Sequence, residues 1–176
     1  GGIGLIITGI TNVDGKAGRA CGNQLLAASE GNVRSLRELA DAVHTYDTKI
    51  FGQIHHAGIQ TSSKITGYKP EGPSALASKV IGEVAHELSI EEIKKLEGQF
   101  VAAALRLKNA EFDGVEIHAA HGYLISSFLS PLTNKREDEY GGSLENRMRI
   151  LLNILAGIKA YCGKDFPVSV RLNSTD

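Results

Sequence analysis

The sequence contains no tryptophan, so nothing in it suggests the aromatic platform on which sugars stack. Cysteine is scarce: Cys21 and Cys162 stand far apart, form no CxxC pair and have no neighbouring base or cation. That pattern argues against a disulfide framework or a cysteine nucleophile and for free thiols in a reducing cytoplasm. An excess of one charge is also missing, since the net charge is −1, and with it any electrostatic case for nucleic acid or an anionic membrane. No apolar run approaches the length of a membrane span, and no signal-peptide pattern opens the chain. What remains is 176 residues with 42% hydrophobic content, enough for one domain with its own core.

Four apolar runs read as strands: Ile3 to Thr8, Lys49 to Ile54, Gly114 to His118 and Val168 to Leu172. Three stripes of helical spacing separate them. The first is Val33, Leu36, Leu39, Ala40 and Val43, preceded by the start signal Gly31-Asn32. The second is Ile90, Ile93, Leu96, Phe100, Ala103 and Leu107, opened by the capping box Ser89-Ile-Glu-Glu92. The third is Met148, Leu151, Leu152, Leu155 and Ile158, with Ser143 as its cap and Gly163 as its stop. The order β-α-β-α-β-α-β calls for a parallel sheet with right-handed crossovers. Two long loops, Ala57 to Leu88 and Ala119 to Gly142, both follow strands, which favours a TIM-type barrel or an open α/β sheet with its site on one face. Four strands make about half of a barrel. The chain opens almost inside a strand and stops just after another, so both ends are expected to be cut.

Polar groups gather at three successive strand ends: Gln53 to His56, His118 to Tyr123, and Arg171. A polar residue in a buried strand is costly without a partner, and such ends converge on the ligand in parallel sheets. For any one of these residues, a loop hydrogen bond or a helix cap is the bland alternative. His118 and His121 suit hydrogen bonds to a carbonyl oxygen, which they would polarise. A metal site with Glu116 lacks the spacing of known ligand motifs. An unperturbed tyrosine side chain has a pKa near 10, so the residue type at Tyr123 suits a proton donor better than a base. His55 and His56 alternate in direction, so one of them is expected to be structural. The run Lys135-Arg-Glu-Asp-Glu139 reads as a solvated loop face.

The run Asp113-Gly-Val-Glu-Ile-His-Ala-Ala-His-Gly-Tyr-Leu-Ile125 is followed by Phe128-Leu-Ser-Pro-Leu-Thr-Asn-Lys-Arg136, Asp138-Glu-Tyr-Gly-Gly-Ser143 and Glu145-Asn-Arg147. With Gly2-Ile-Gly-Leu-Ile-Ile-Thr-Gly9, Gln53-Ile-His-His-Ala-Gly58 and Pro73-Ser-Ala75, it resembles the Old Yellow Enzyme family. The nearest branch holds bacterial NADH:flavin oxidoreductases, 2-enoate reductases and 2,4-dienoyl-CoA reductases. The resemblance covers essentially the whole chain and implies an α/β fold of parallel (β/α) units from an FMN-binding TIM barrel. Residues 1–176 would be a partial barrel domain, approximately its second to fifth βα units. The family's activity is transfer of hydride from NAD(P)H through FMN to an activated C=C bond of an enone or enoyl thioester.

By resemblance, Gln53 and Arg171 bind the flavin, with Arg171 beside N1 and O2. His118 and His121 grip the substrate carbonyl, and Tyr123 is the catalytic proton donor. Ile59 stands where the family usually has arginine, and Ile10 is bulkier than the residue expected near the flavin ring. The first strand, the last three strands with the flavin phosphate grip, and the iron–sulfur cysteines of multidomain members are expected to be missing. Two other readings stand beside this one: a catalytically incompetent half-barrel that associates as a dimer, and a metal-dependent barrel hydrolase using His118 and His121.

Overall fold

Alternation of period two and stripes of period 3.6 divide the chain as expected across residues 2–174, the part that this computed structural model describes. The elements are β1 (Leu5–Asn12), β2 (Leu25–Leu26), α1 (Val33–His44), β3 (Lys49–His55), α2 (Ser63–Thr66), β4 (Glu71–Gly72) and β5 (His86–Glu87). They continue as α3 (Ile90–Asn109), β6 (Gly114–Ala119), α4 (Leu124–Leu129), α5 (Leu144–Cys162) and β7 (Val168–Leu172). Five parallel strands form the main sheet in the order β2-β1-β3-β6-β7, with α1, α3 and α5 as the crossovers. No helix among the described residues is long and apolar enough to cross a membrane.

The first strand differs from its expected bounds of Ile3 to Thr8. Leu5, Ile6 and Ile7 pair with Lys49, Ile50 and Phe51, but Ile10, Thr11 and Asn12 pair with Gln53, Ile54 and His55. One extra residue on β1 therefore makes a bulge between Ile7 and Ile10. The Thr8 hydroxyl accepts the Gln53 amide N–H at 3.1 Å and fills the gap in the ladder. The apolar run ends at Ile7, so hydrophobic periodicity could not follow the strand past the bulge. The strand's apolar residues Leu5, Ile6 and Ile7 remain exposed.

The three helices pack on one face of the sheet. There Ile50, Ile54, Val115 and Ile117 meet the α3 stripe Ile93, Leu96, Phe100, Ala103 and Leu107, and the α5 residues Ile150, Ile154 and Ile158. Burying each large aliphatic or aromatic side chain stabilises by about 1.5–3 kcal/mol, so this layer supplies most of the driving force. Gly52 lies on this face because a Cβ there would stand 2.6 Å from Leu107 Cδ1. At the start of α3 the capping box is complete: Ser89 Oγ accepts the Glu92 amide at 3.2 Å, and Glu92 Oε2 accepts the Ser89 amide at 2.8 Å. Ser143 caps α5 by accepting the Asn146 amide, and Gly163 ends that helix at φ 96°.

Both long loops carry structure of their own. The segment 57–88 contains α2 and the small parallel pair β4–β5, and 119–142 contains the buried helix α4. Reading Lys135 to Glu139 as a solvated face is corrected at one residue. Arg136 is only 9% exposed and joins the two loops. Its Nη1 donates to the carbonyls of Pro73 at 2.9 Å and Leu88 at 2.6 Å, while Nε and Nη2 fork onto Asp138. A charge pattern along the sequence cannot reveal such a clamp, because the carbonyls lie 63 and 48 residues away.

Candidate active site

The sheet face away from the helices carries the polar residues, and strand register arranges them in two levels. Gln53 pairs with Glu116, and Glu116 pairs with Ser169, so all three side chains share one level. One step of two residues towards the carboxyl ends come His55, His118 and Arg171, with His118 opposite Arg171. The alternation Val-Glu-Ile-His in β6 thus feeds the core and the site from opposite faces. An open cavity of about 690 Å³ lies here, lined by Ile7, Thr8, Gly9, Gln53, Glu116 and Arg171 among others.

On the lower level Gln53 Nε2 donates to Glu116 Oε1 at 2.6 Å, and Ser169 Oγ reaches Glu116 Oε2 at 3.4 Å. Arg171 is exposed at the cavity and forms no ion pair among the described residues. Its fixed positive charge is therefore available to a ligand.

Above, four rings pack edge to face. Tyr123 lies 4.4 Å from His55 and 4.9 Å from His118, and His118 lies 5.1 Å from His121, between ring centroids. Backbone hydrogen bonds fix the imidazole protons. The Ala120 amide points at His118 Nδ1 at 3.3 Å, so the His118 proton sits on Nε2 and is directed at His121 Nδ1, also 3.3 Å away. His121 is left with its own proton on Nε2. Burial, then the neighbouring His121 and Arg171, lowers the His118 pKa to about 4, which keeps this ring neutral at pH 7. His121 adopts a left-handed backbone at φ 60°, held by its amide N–H donating to Asn173 Oδ1 at 3.0 Å. Tyr123 occupies the N-cap position of α4, and no hydrogen bond engages its hydroxyl among the described residues.

The adjacent histidines diverge as alternation requires. His55 joins the ring cluster. Gln24 Oε1 accepts the Ala20 amide, which turns Gln24 Nε2 to His55 Nδ1 at 3.1 Å and leaves the His55 proton on a buried Nε2. Burial first, then His56 and His118, lowers the His55 pKa to about 3. His56 turns the other way and is structural. Its Nε2 lies 3.5 Å from Asp14 and 3.4 Å from Glu71. Burial opposes the charge on His56, but these carboxylates outweigh it and raise the pKa to about 9. The Gly58 amide directed at Nδ1 favours the neutral ring, yet Nε2–H faces the carboxylates in both forms.

Gly58 itself lies at φ +60°, and a Cβ there would come within 2.7 Å of the Leu124 backbone. This close approach seats the turn after β3 against the start of α4, next to Tyr123. Ile59, where resemblance led to an expectation of arginine, is buried against Gly72.

All five residues singled out from the sequence thus lie on one sheet face or its adjoining loop. Gln24 and Asn173 escaped sequence reasoning; Asn173 could have been found as a polar residue just past a strand's carboxyl end. His118 and His121 share a hydrogen bond, and no group of three His, Cys, Asp or Glu among the described residues could hold a metal ion. The hydrolase reading therefore has no ligand set here.

Comparison with known proteins follows the same line. A family model described as NADH:flavin oxidoreductase / NADH oxidase matches residues 1–176. The chain is 47% identical to the NADH oxidase of Thermoanaerobacter brockii over 177 residues, covering 100% of this chain and 27% of that protein. A structure of 2-naphthoyl-CoA reductase with 2-naphthoyl-CoA superimposes with TM-score 0.95 at 35% identity, over 99% of this chain and 28% of that one. The old yellow enzyme homologue from Zymomonas mobilis gives TM-score 0.87 at 36% identity, over 96% of this chain and 49% of that one. The chain thus spans between a quarter and a half of the proteins it matches. The expected fold class stands: the sheet is a run of parallel (β/α) units of a TIM barrel, about half of it.

Proposed function

The chain belongs to the NADH:flavin oxidoreductase / NADH oxidase family, and from that premise we propose that it is part of an FMN-dependent NAD(P)H oxidoreductase of the ene-reductase type. The observation that carries the reading is the two-level arrangement on one sheet face, with Gln53 and Arg171 lining the cavity and the ring cluster of His118, His121 and Tyr123 one level above. The chain would correspond to the second to fifth βα units of the barrel and act in the cytoplasm.

The donor set fits one edge of FMN. Gln53 offers an amide beside the fixed charge of Arg171, which suits the polar pyrimidine edge of a flavin and favours a negative charge there. Arg171 is the only cation lining this cavity among the described residues, so the fit is to the ring and not to the phosphate. When bound, FMN supplies the relay of hydride from NAD(P)H to an activated C=C bond. His121 donates its Nε2 proton to a substrate carbonyl oxygen, and His118 joins it by turning its own Nε2–H from His121 Nδ1 to that oxygen; together they stabilise the charge that develops there. A neutral His118 does this without losing its own proton. Tyr123, with an unengaged hydroxyl beside these rings, gives a proton to the α-carbon. The substrate class is an enone or enoyl thioester; the neighbouring 2-naphthoyl-CoA reductase supports the thioester member.

The test is turnover by the full-length protein loaded with FMN. We expect NADH or NADPH consumption to rise on adding 2-cyclohexenone or crotonyl-CoA under anaerobic conditions. No reduction of any enone or enoyl thioester would refute the reading. Exposed Ile3, Leu5, Ile6 and Ile7 support a second reading, association through this apolar surface. Sedimentation of the chain as a stable monomer at high concentration would rule that out.

A further inference from the structure

We infer that Glu116 is a positioning residue that fixes the polarity of the cavity: it holds the Gln53 amide so that the carbonyl oxygen faces the ligand, and the site therefore selects a ring that presents an N–H. This inference rests on the flavin reading above and extends it to a residue with no role there.

A carboxylate has acceptors only, whereas a primary amide has an acceptor at one end and donors at the other. Glu116 Oε1 and the Gln53 side chain stand 2.6 Å apart, so the amide must turn its nitrogen to the carboxylate. The flipped amide would set two acceptors against each other at that distance. Register holds the pair in place, because Gln53 and Glu116 are direct partners across β3 and β6. The Gln53 main chain is tied in turn to Thr8 Oγ1, and Ser169 steadies the second carboxylate oxygen. Gln53 is 5% exposed, so water cannot readily re-hydrogen-bond a turned amide. Both residues line the cavity beside Arg171. A ligand ring here meets an acceptor, Gln53 Oε1, near a cation. That sequence matches an imide edge, in which an N–H lies next to a carbonyl oxygen. The pyrimidine portion of a flavin has such an edge.

If Glu116 were only filling the barrel interior, its removal would weaken every ligand alike. If it sets polarity, the loss is confined to ligands that donate. The experiment is a fluorescence titration of the full-length protein with FMN and with its N3-methylated analogue, for wild type, Glu116→Leu and the double variant Gln53→Glu/Glu116→Gln. We expect Glu116→Leu to weaken FMN by about tenfold, the size of one charge-assisted hydrogen bond's contribution, and to leave the methylated analogue within about twofold. In the double variant the carboxylate at position 53 accepts from both sides, so FMN preference returns. Equal loss for both ligands, or unchanged FMN affinity in Glu116→Leu, overturns the inference.

A ligand-free measurement separates it from the flavin reading. In the NMR spectrum of the free protein, one Gln53 side-chain amide proton should be shifted downfield by the carboxylate and lose that shift in Glu116→Leu. Failure of wild type to bind any flavin sinks the proposed function, whereas an unchanged Gln53 amide signal sinks the clamp.

Discussion

Arg136 offers the most direct test of how the two long loops are held. In Arg136→Met the aliphatic stem is kept, so lost packing is small and the change isolates the guanidinium. Two carbonyls, of Pro73 and Leu88, lose donors at 2.9 and 2.6 Å. Each unsatisfied buried acceptor costs about 1–3 kcal/mol. Asp138 loses its forked partner but keeps 31% side-chain exposure, so water recovers most of its hydration and its share is at most about 1 kcal/mol. The sum spans about 2–7 kcal/mol, centred on the range of about 3–5 kcal/mol found when one partner of a buried charge pair is removed, which is the loss expected here. In urea unfolding followed by circular dichroism, with a slope of about 2 kcal/mol/M, the midpoint should fall by about 1.5–2.5 M at unchanged slope. Thermal unfolding should drop by about 6–20 °C. Glu137→Ala, on the same charged run but exposed, serves as the control and should leave the midpoint unchanged. A loss below about 1 kcal/mol for Arg136→Met would show that water replaces the guanidinium and that the clamp contributes little.

Gly58→Ala combines a left-handed backbone with a Cβ 2.7 Å from Leu124, and should cost about 2–4 kcal/mol; a melting temperature equal to wild type would contradict the close packing of this turn on α4. The pH dependence follows from His55 and His118, whose folded pKa values, about 3 and about 4, lie below the ordinary 6.5. As pH falls below 6.5 the unfolded chain takes up protons that the folded chain refuses, so stability declines until the folded values are passed. His56, raised to about 9, acts oppositely: its contribution is complete below pH 6.5 and is lost as pH rises through 9. His55→Phe should therefore flatten the stability curve between pH 6 and 4, and an unaltered slope in urea titrations would count against a buried neutral imidazole. Tyr123→Phe in the flavin-loaded protein should slow reoxidation by an enone about 10²–10⁴-fold and leave reduction by NAD(P)H within about twofold. Equal slowing of both half-reactions, measured by stopped flow, would remove the proton-donor role.

The order of strands and helices was legible because local rules generate it. The stripe from Ile93 to Leu107 has helical spacing, Ser89 and Glu92 form their cap within one turn, and Val-Glu-Ile-His alternates between core and site. The same alternation told in advance that His55 and His56 part company. Which residues share a site was legible only in part: His118, His121 and Tyr123 are neighbours in sequence, and resemblance tied Gln53 and Arg171 to them. Other features depend on groups that meet across long stretches of chain. The bulge that carries β1 on to Asn12 answers to pairing with β3, and the neutrality of His55 answers to burial and to Gln24, 31 residues away. Arg136 looked like one more surface charge until folding brought it to Pro73 and Leu88, and Glu116 like one more strand carboxylate until register set it against Gln53. Periodicity and capping act within a few residues, so sequence alone determined the main strands and helices and the face that their side chains take. Partners, proton positions and burial are properties of distance in space, and those only the tertiary structure decided.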